Sequence, residues 1–202
     1  MSEIREGRVE AIGAAIHYKV TGRGPVLLVL SDEGDADATD ALGAALAGFT
    51  VVTYDRRGTP RSPIEDPREP ATLATHADDA ARVLIAVTTH AARALAIGRA
   101  VAIGLELVAR HPHRVSTLVA FEPRGLDPDA LDTVALRAAH VPIVPAASTA
   151  AIGPTRVDAD ALASRLTLPL LGLEGDPAVR VGAFAAGLDA VLHGITAADG
   201  TG

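Results

Sequence analysis

Charged side chains directly follow several short apolar runs, which is where a buried strand would hand its chain to solvent. Asp32 and Glu33 follow Val26 to Leu30 in the stretch SDEGDADATD, Arg99 follows Ala94 to Gly98, and Glu122 follows Ser116 to Phe121. Two adjacent carboxylates raise one another's pKa, so Asp32 and Glu33 fit a general acid and base. The guanidinium of Arg99 fits a clamp on a carboxylate or a polarised carbonyl, and Glu122 fits a ligand contact. Each also has a plainer reading. Asp32 and Glu33 form a solvated acidic turn ahead of a helix, and Arg99 pairs with one of them as structure.

The seven histidines are spread along the chain. His90 and His140 precede apolar runs, His111 and His113 follow a helix-patterned segment, and His193 lies near the end of the last helical pattern. His76 starts a helix running down from the crevice side and is the histidine to place near a ligand, with capping or packing as its plainer role. The spacing of His111 and His113 lacks convergent carboxylates, so no metal site is expected. There is no cysteine, hence no disulfide and no thiolate nucleophile. No cofactor is implied.

The positioning elements follow from hydrophobic periodicity. Gly7 to Thr21 alternates around a turn near Gly13, which predicts an antiparallel N-terminal hairpin. Unbroken apolar runs at Val26 to Leu30, Thr50 to Tyr54, Ala94 to Gly98, Ser116 to Phe121, Val141 to Val144 and Leu168 to Leu173 predict strands buried on both faces. Thr75 to Thr88 reads as an amphipathic helix with Thr75 as N-cap, and Val181 to Leu192 as another after Pro177. Strands alternating with helices predict an α/β protein with a doubly wound, mostly parallel eight-stranded sheet in one domain spanning residues 1–202. Ligands then bind at the carboxyl ends of the strands.

Composition limits the partners. The chain has 202 residues, a net charge of −7 and only 2% aromatic residues, which argues against nucleic acid and anionic membrane and leaves a small-molecule ligand. No apolar run approaches the roughly 18 residues of a spanning helix, and MSEIREGRVE has no signal-peptide core, so a cytoplasmic location is expected.

Taken in order, GPVLLVL (Gly24 to Leu30), VVTYDRRGTPRSP (Val51 to Pro63), THADDAARVL (Thr75 to Leu84) and GLELVARHPHRVSTLVAFEP (Gly104 to Pro123) resemble α/β-hydrolases over most of the chain. The resemblance implies a G-x-S-x-G elbow before the ARHP helix. It assigns that elbow to Gly98-Arg99-Ala100-Val101-Ala102, with Ala100 in the serine's place. It puts Ser31, Asp32 and Glu33 in the oxyanion loop, Pro177 at the histidine position, and Ser148 in the segment where the triad acid usually follows a strand. Only about 18 residues separate Phe121 from Val141, too few for the helical cap that the family often inserts there. The crevice is then open, or shaped by oligomer contacts such as those of a homodimer.

These departures predict a scaffold that does not use a Ser-His-Asp triad. The leading expectation is a non-hydrolytic cyclase, isomerase or lyase for a small hydrophobic biosynthetic metabolite, using Asp32, Glu33 and Arg99 with Ser31, His76, Ala100, Val101, Glu122 and Ser148 lining the crevice. The alternatives are a catalytically silent ligand-binding or assembly protein, and an esterase-type hydrolase with a relocated nucleophile such as Ser31 or Ser148.

Overall fold

The computed structural model describes residues 4–31, 39–151, 153–174, 177 and 181–198. Asp32, Glu33, Gly175 and Asp176 lie outside the described residues.

The sheet has eight strands: β1 (Ile4–Ala11), β2 (Ala14–Gly22), β3 (Val26–Leu30), β4 (Thr50–Tyr54), β5 (Ala92–Ile97), β6 (Val115–Phe121), β7 (Ile143–Ser148) and β8 (Leu171–Leu173). Their order is β1-β2-β4-β3-β5-β6-β7-β8. β1 and β2 form an antiparallel hairpin, β2 also pairs antiparallel with β4, and every later pairing is parallel. The helices are α1 (Asp40–Ala45), α2 (Leu73–Val87), α3 (Ala100–Arg110), α4 (Thr133–Ala138), α5 (Pro154–Leu166) and α6 (Val181–Ala198).

The unbroken apolar character of β3 follows from burial on both faces. Leu28 and Leu30 face one core with residues of α2 to α5, while Leu27 and Val29 face a second core with Leu42 of α1 and Phe184 and Leu188 of α6. Alternate residues of a strand point to opposite faces, so a strand covered by helices above and below must be apolar at every position. Between β6 and α4 stands only a short 3-10 turn at Pro128–Ala130. No cap domain occurs among the described residues of that connection. Among the described residues, no helix is long and apolar enough to cross a membrane.

Several boundaries differ by a few residues from those that the sequence suggests; β8, for one, begins at Leu171 rather than Leu168, and two others bear on local hydrogen bonding. The N-cap of α2 is Thr72 rather than Thr75, because the Thr72 hydroxyl accepts a hydrogen bond from the Thr75 N–H. β7 begins later and runs on through Pro145 to Ser148, pairing with β6 on one side and with β8 on the other. A proline lacks the N–H that a sheet uses, which argues for a strand end at the sequence level. Here Pro145 sits opposite Ala120 and the strand continues past it.

Candidate active site at the carboxyl edge of the sheet

The carboxyl ends of β5, β6, β7 and β8 are laced together one residue beyond their ladders. The Gly98 N–H donates to Phe121 O at 3.0 Å, the Glu122 N–H to Ala146 O at 2.8 Å, and the Thr149 N–H to Leu173 O at 3.0 Å. This fixes the strand ends relative to one another and brings Gly98, Glu122 and Ser148, which are far apart in sequence, to one edge.

Gly98 is the turn between β5 and α3. Its φ is 63°, a left-handed conformation that costs an L-residue with a side chain about 1–2 kcal/mol. Arg99 already has right-handed helical angles, φ −68° and ψ −24°, and α3 begins at Ala100. The apex of the elbow is therefore Gly98. This corrects the assignment of Ala100 to the nucleophile's place, which stood two residues too far along. The G-x-S-x-G pattern fits Gly98-Arg99-Ala100-Val101-Ala102 only if the chain turns at Ala100, but the turn is already made at Gly98. Ala100 and Val101 are buried helical residues at 1% and 0% exposure, packed in the core shared with α2. Neither offers a surface to a ligand. Arg99 is exposed beside the apex.

Glu122 has the same unusual backbone in a residue with a side chain, with φ 46°. Strain of this kind persists only where the surroundings hold it, and it gathers at functional edges. The half-buried carboxylate places Oε1 3.1 Å from the Ser148 N–H, which donates to it. Ser148 is buried, and its hydroxyl oxygen accepts from the Ala150 N–H at 3.2 Å. The site thus presents an apex without a side chain, an acceptor-only carboxylate and a hydroxyl. The first turn of α3 adds the positive end of a helix dipole at the apex. Ser31 follows β3 and is half-buried, ahead of the undescribed stretch that contains Asp32 and Glu33.

His76 is not joined to this edge by any hydrogen bond or ion pair among the described residues. It lies in the first turn of α2, where burial, followed by the charge of Arg56, pushes its pKa below the ordinary histidine value, with Asp79 opposing and Arg57 reinforcing the shift. Asp79 is 1% exposed and takes a bidentate ion pair from Arg57, with Nε–Oδ2 at 2.7 Å and Nη2–Oδ1 at 2.6 Å. The Tyr54 hydroxyl is buried without a hydrogen-bond partner, and burial and the Asp79 charge push its pKa above the ordinary phenol value.

A serine, a histidine and an aspartate do come together elsewhere. His17 Nδ1 lies 3.1 Å from Asp55 Oδ2, off the line of a hydrogen bond, while the His17 backbone N–H donates to the Ser62 hydroxyl at 2.9 Å. That hydroxyl donates to Asp55 O at 2.8 Å, and Arg61 holds the Asp55 carboxylate at 2.5 and 3.0 Å. In a nucleophilic triad the imidazole faces the serine oxygen. Here the backbone amide does so, and Ser62 is 0% exposed, so the cluster pins the Asp55 to Ser62 loop against β2. Among the described residues, no group of three or more His, Asp or Glu is placed to hold a metal ion.

No protein-family model matches the chain. The chain is 42% identical over 122 residues to YraK of Bacillus subtilis, a protein named as an uncharacterized hydrolase; the match covers 59% of this chain and 45% of YraK. It is 39% identical over 113 residues to RutD of Caulobacter vibrioides NA1000, a protein named "Putative carbamate hydrolase", covering 52% of this chain and 40% of RutD. The chain therefore spans less than half the length of the curated relatives it matches. Among solved structures, an alpha/beta hydrolase from Sphaerobacter thermophilus superposes with a TM-score of 0.71 at 19% identity, covering 90% of this chain and 98% of that one. Relatives named as hydrolases overturn the expectation of a cyclase, isomerase or lyase. That expectation rested on Ala100 as the lost nucleophile and on Asp32 and Glu33 as its replacements. The elbow geometry removes the first support, and the second lies outside the described residues.

Proposed function

Because the chain has the α/β-hydrolase fold, we propose that it hydrolyses small acyl compounds of the ester, amide or carbamate class, with water as the attacking group and Glu122 as general base. The observation that carries this reading is the pairing of a side-chain-free apex at Gly98 with a carboxylate one strand away at Glu122. In this fold the apex ordinarily projects a serine oxygen above the sheet. In this reading a water molecule takes the place that the serine oxygen has there. The names of the relatives supply the reaction class.

In this reading Glu122 accepts a proton as the water oxygen bonds to the carbonyl carbon. The tetrahedral oxyanion forms at the positive end of α3 and then collapses. The C–O or C–N bond breaks, and Glu122 returns its proton to the departing oxygen or nitrogen. The bond from the Ser148 N–H holds Oε1 in place and leaves Oε2 to the water.

A second reading, a ligand-binding protein without turnover, is favoured by the same missing side chain at Gly98. Substitution of Glu122 separates the two, because Glu122→Gln keeps an oxygen for the Ser148 amide and removes the base. With p-nitrophenyl acetate and phenyl carbamate as probes, turnover above buffer is expected for the native chain, falling by about 100-fold or more in Glu122→Gln with an unchanged melting temperature. Equal turnover in both proteins removes Glu122 from the reaction. Absence of turnover in the native chain, with the probes still bound, selects the second reading.

A further inference from the structure

A groove of about 270 Å³ runs between α3, the start of α2 and the connection that follows β6. Leu105 of α3, Leu126 and Leu131 of the connection after β6 and Leu136 of α4 give it apolar walls, and Leu73 of α2, 49% exposed, stands at its side. It has room for roughly nine water-sized groups at about 30 Å³ each. Its charged lining is of one sign: Glu106, Asp127 and Asp132, with no lysine or arginine among the lining residues.

The carboxylates of Asp127 and Asp132 accept only backbone N–H bonds in the structure, from Asp129 and Ala135, and those bonds leave their charge in place. Glu106 has Arg110 at 4.0 Å, but the same guanidinium is engaged at 3.1 Å by both oxygens of Asp78. Arg165 reaches this connection with its Nε donating to Pro128 O. An anion entering the groove meets three carboxylates over apolar walls, whereas an ammonium group meets complementary charge while its alkyl body covers the leucines.

From this combination the geometry points to a binding site for an amphipathic cation, a primary ammonium carried on an apolar body of about eight carbons. Gly125 also lines the groove, and the N–H of its neighbour Arg124 donates to Gly98 O at 3.2 Å, so an occupied groove adjoins the elbow. The site does not depend on the hydrolytic reading, since it needs no reacting group.

The test uses probes with no hydrolysable bond, so that failure here and failure of the proposed reaction are told apart. Octylammonium, octanol and octanoate are titrated into the whole chain and followed by amide chemical shifts and calorimetry. Octylammonium is expected to bind at least about tenfold more tightly than octanoate, with octanol between them, and added salt should narrow the gap. The triple variant Glu106→Gln, Asp127→Asn and Asp132→Asn removes the charge while asparagine keeps both N-caps. It should bring octylammonium down to octanol and leave octanol unchanged. Ala109→Trp, which fills the groove from α3, should abolish binding of all three. Octanoate binding as tightly as octylammonium, a triple variant that keeps the preference, or shifts that bypass Ala102, Leu105 and Ala109 would each overturn the proposal.

Discussion

Gly104 of α3 packs so closely on Ala96 of β5 that a methyl group added to the glycine would stand 2.9 Å from the alanine Cβ. Leu118 Cδ1 of β6 would be 3.1 Å from the same methyl. Both strand residues are fully buried, so neither has space to withdraw. This contact sets the height of α3 above the sheet and hence the height of the elbow that leads into it.

Two effects of opposite sign meet in Gly104→Ala. Helix propensity favours alanine by about 1 kcal/mol. Overpacking a filled core costs about 1–3 kcal/mol. A net loss of about 1 kcal/mol is expected by urea unfolding, and a gain would mean that α3 rides up freely on the sheet.

The buried pair between Arg57 and Asp79 predicts a larger loss. Asp79→Ala removes the bidentate partner of a guanidinium whose side chain is only 11% exposed and whose pKa that hydrogen bond raises. Breaking one side of such a pair costs about 3–5 kcal/mol. Asp79→Asn, which retains one acceptor, should lose distinctly less. Equal losses in the two variants would point to packing rather than charge.

Tyr54→Phe tests an orphaned hydroxyl. The ring is packed in the core and the oxygen is buried without a partner. Leaving such a group unsatisfied carries a penalty of about 1–3 kcal/mol that phenylalanine avoids. Stability should hold or rise by up to about 1 kcal/mol. A drop in melting temperature would reveal a partner for the hydroxyl.

His76 predicts a pH dependence with a definite sign. Its folded pKa lies below its ordinary value of 6.5, chiefly through burial. Below pH 6.5 the unfolded chain therefore binds the proton more readily than the folded one, and stability falls as pH decreases through that window. His76→Gln should flatten the dependence between pH 7 and pH 5 relative to the native chain. An unchanged slope would show that His76 protonates without cost in the fold.

Strand and helix identity was legible in the sequence because it rests on local periodicity. VLLVL is apolar at every position and TVVTY is β-branched or aromatic at every position, and each forms one strand with the bounds of that run. The antiparallel hairpin and the order of elements followed from the same local patterns, while the resemblance to α/β-hydrolases rested on stretches such as Val51 to Pro63 and Gly104 to Pro123. Glu122 and Ser148 were each legible as residues near strand ends. Their contact was not, since it depends on β6 and β7 lying side by side in a register that brings the Ser148 amide to the Glu122 carboxylate. The apex at Gly98 was likewise beyond the sequence. Glycine and alanine at alternate positions fit the elbow pattern in more than one frame, and the frame is chosen by the bond from Gly98 to Phe121, which fixes where β5 stops. Local chemistry thus determined which elements form and which face of each is buried. The pairing of strands, a property of residues distant in sequence, decided which side chains share an edge and which residue stands at its turn.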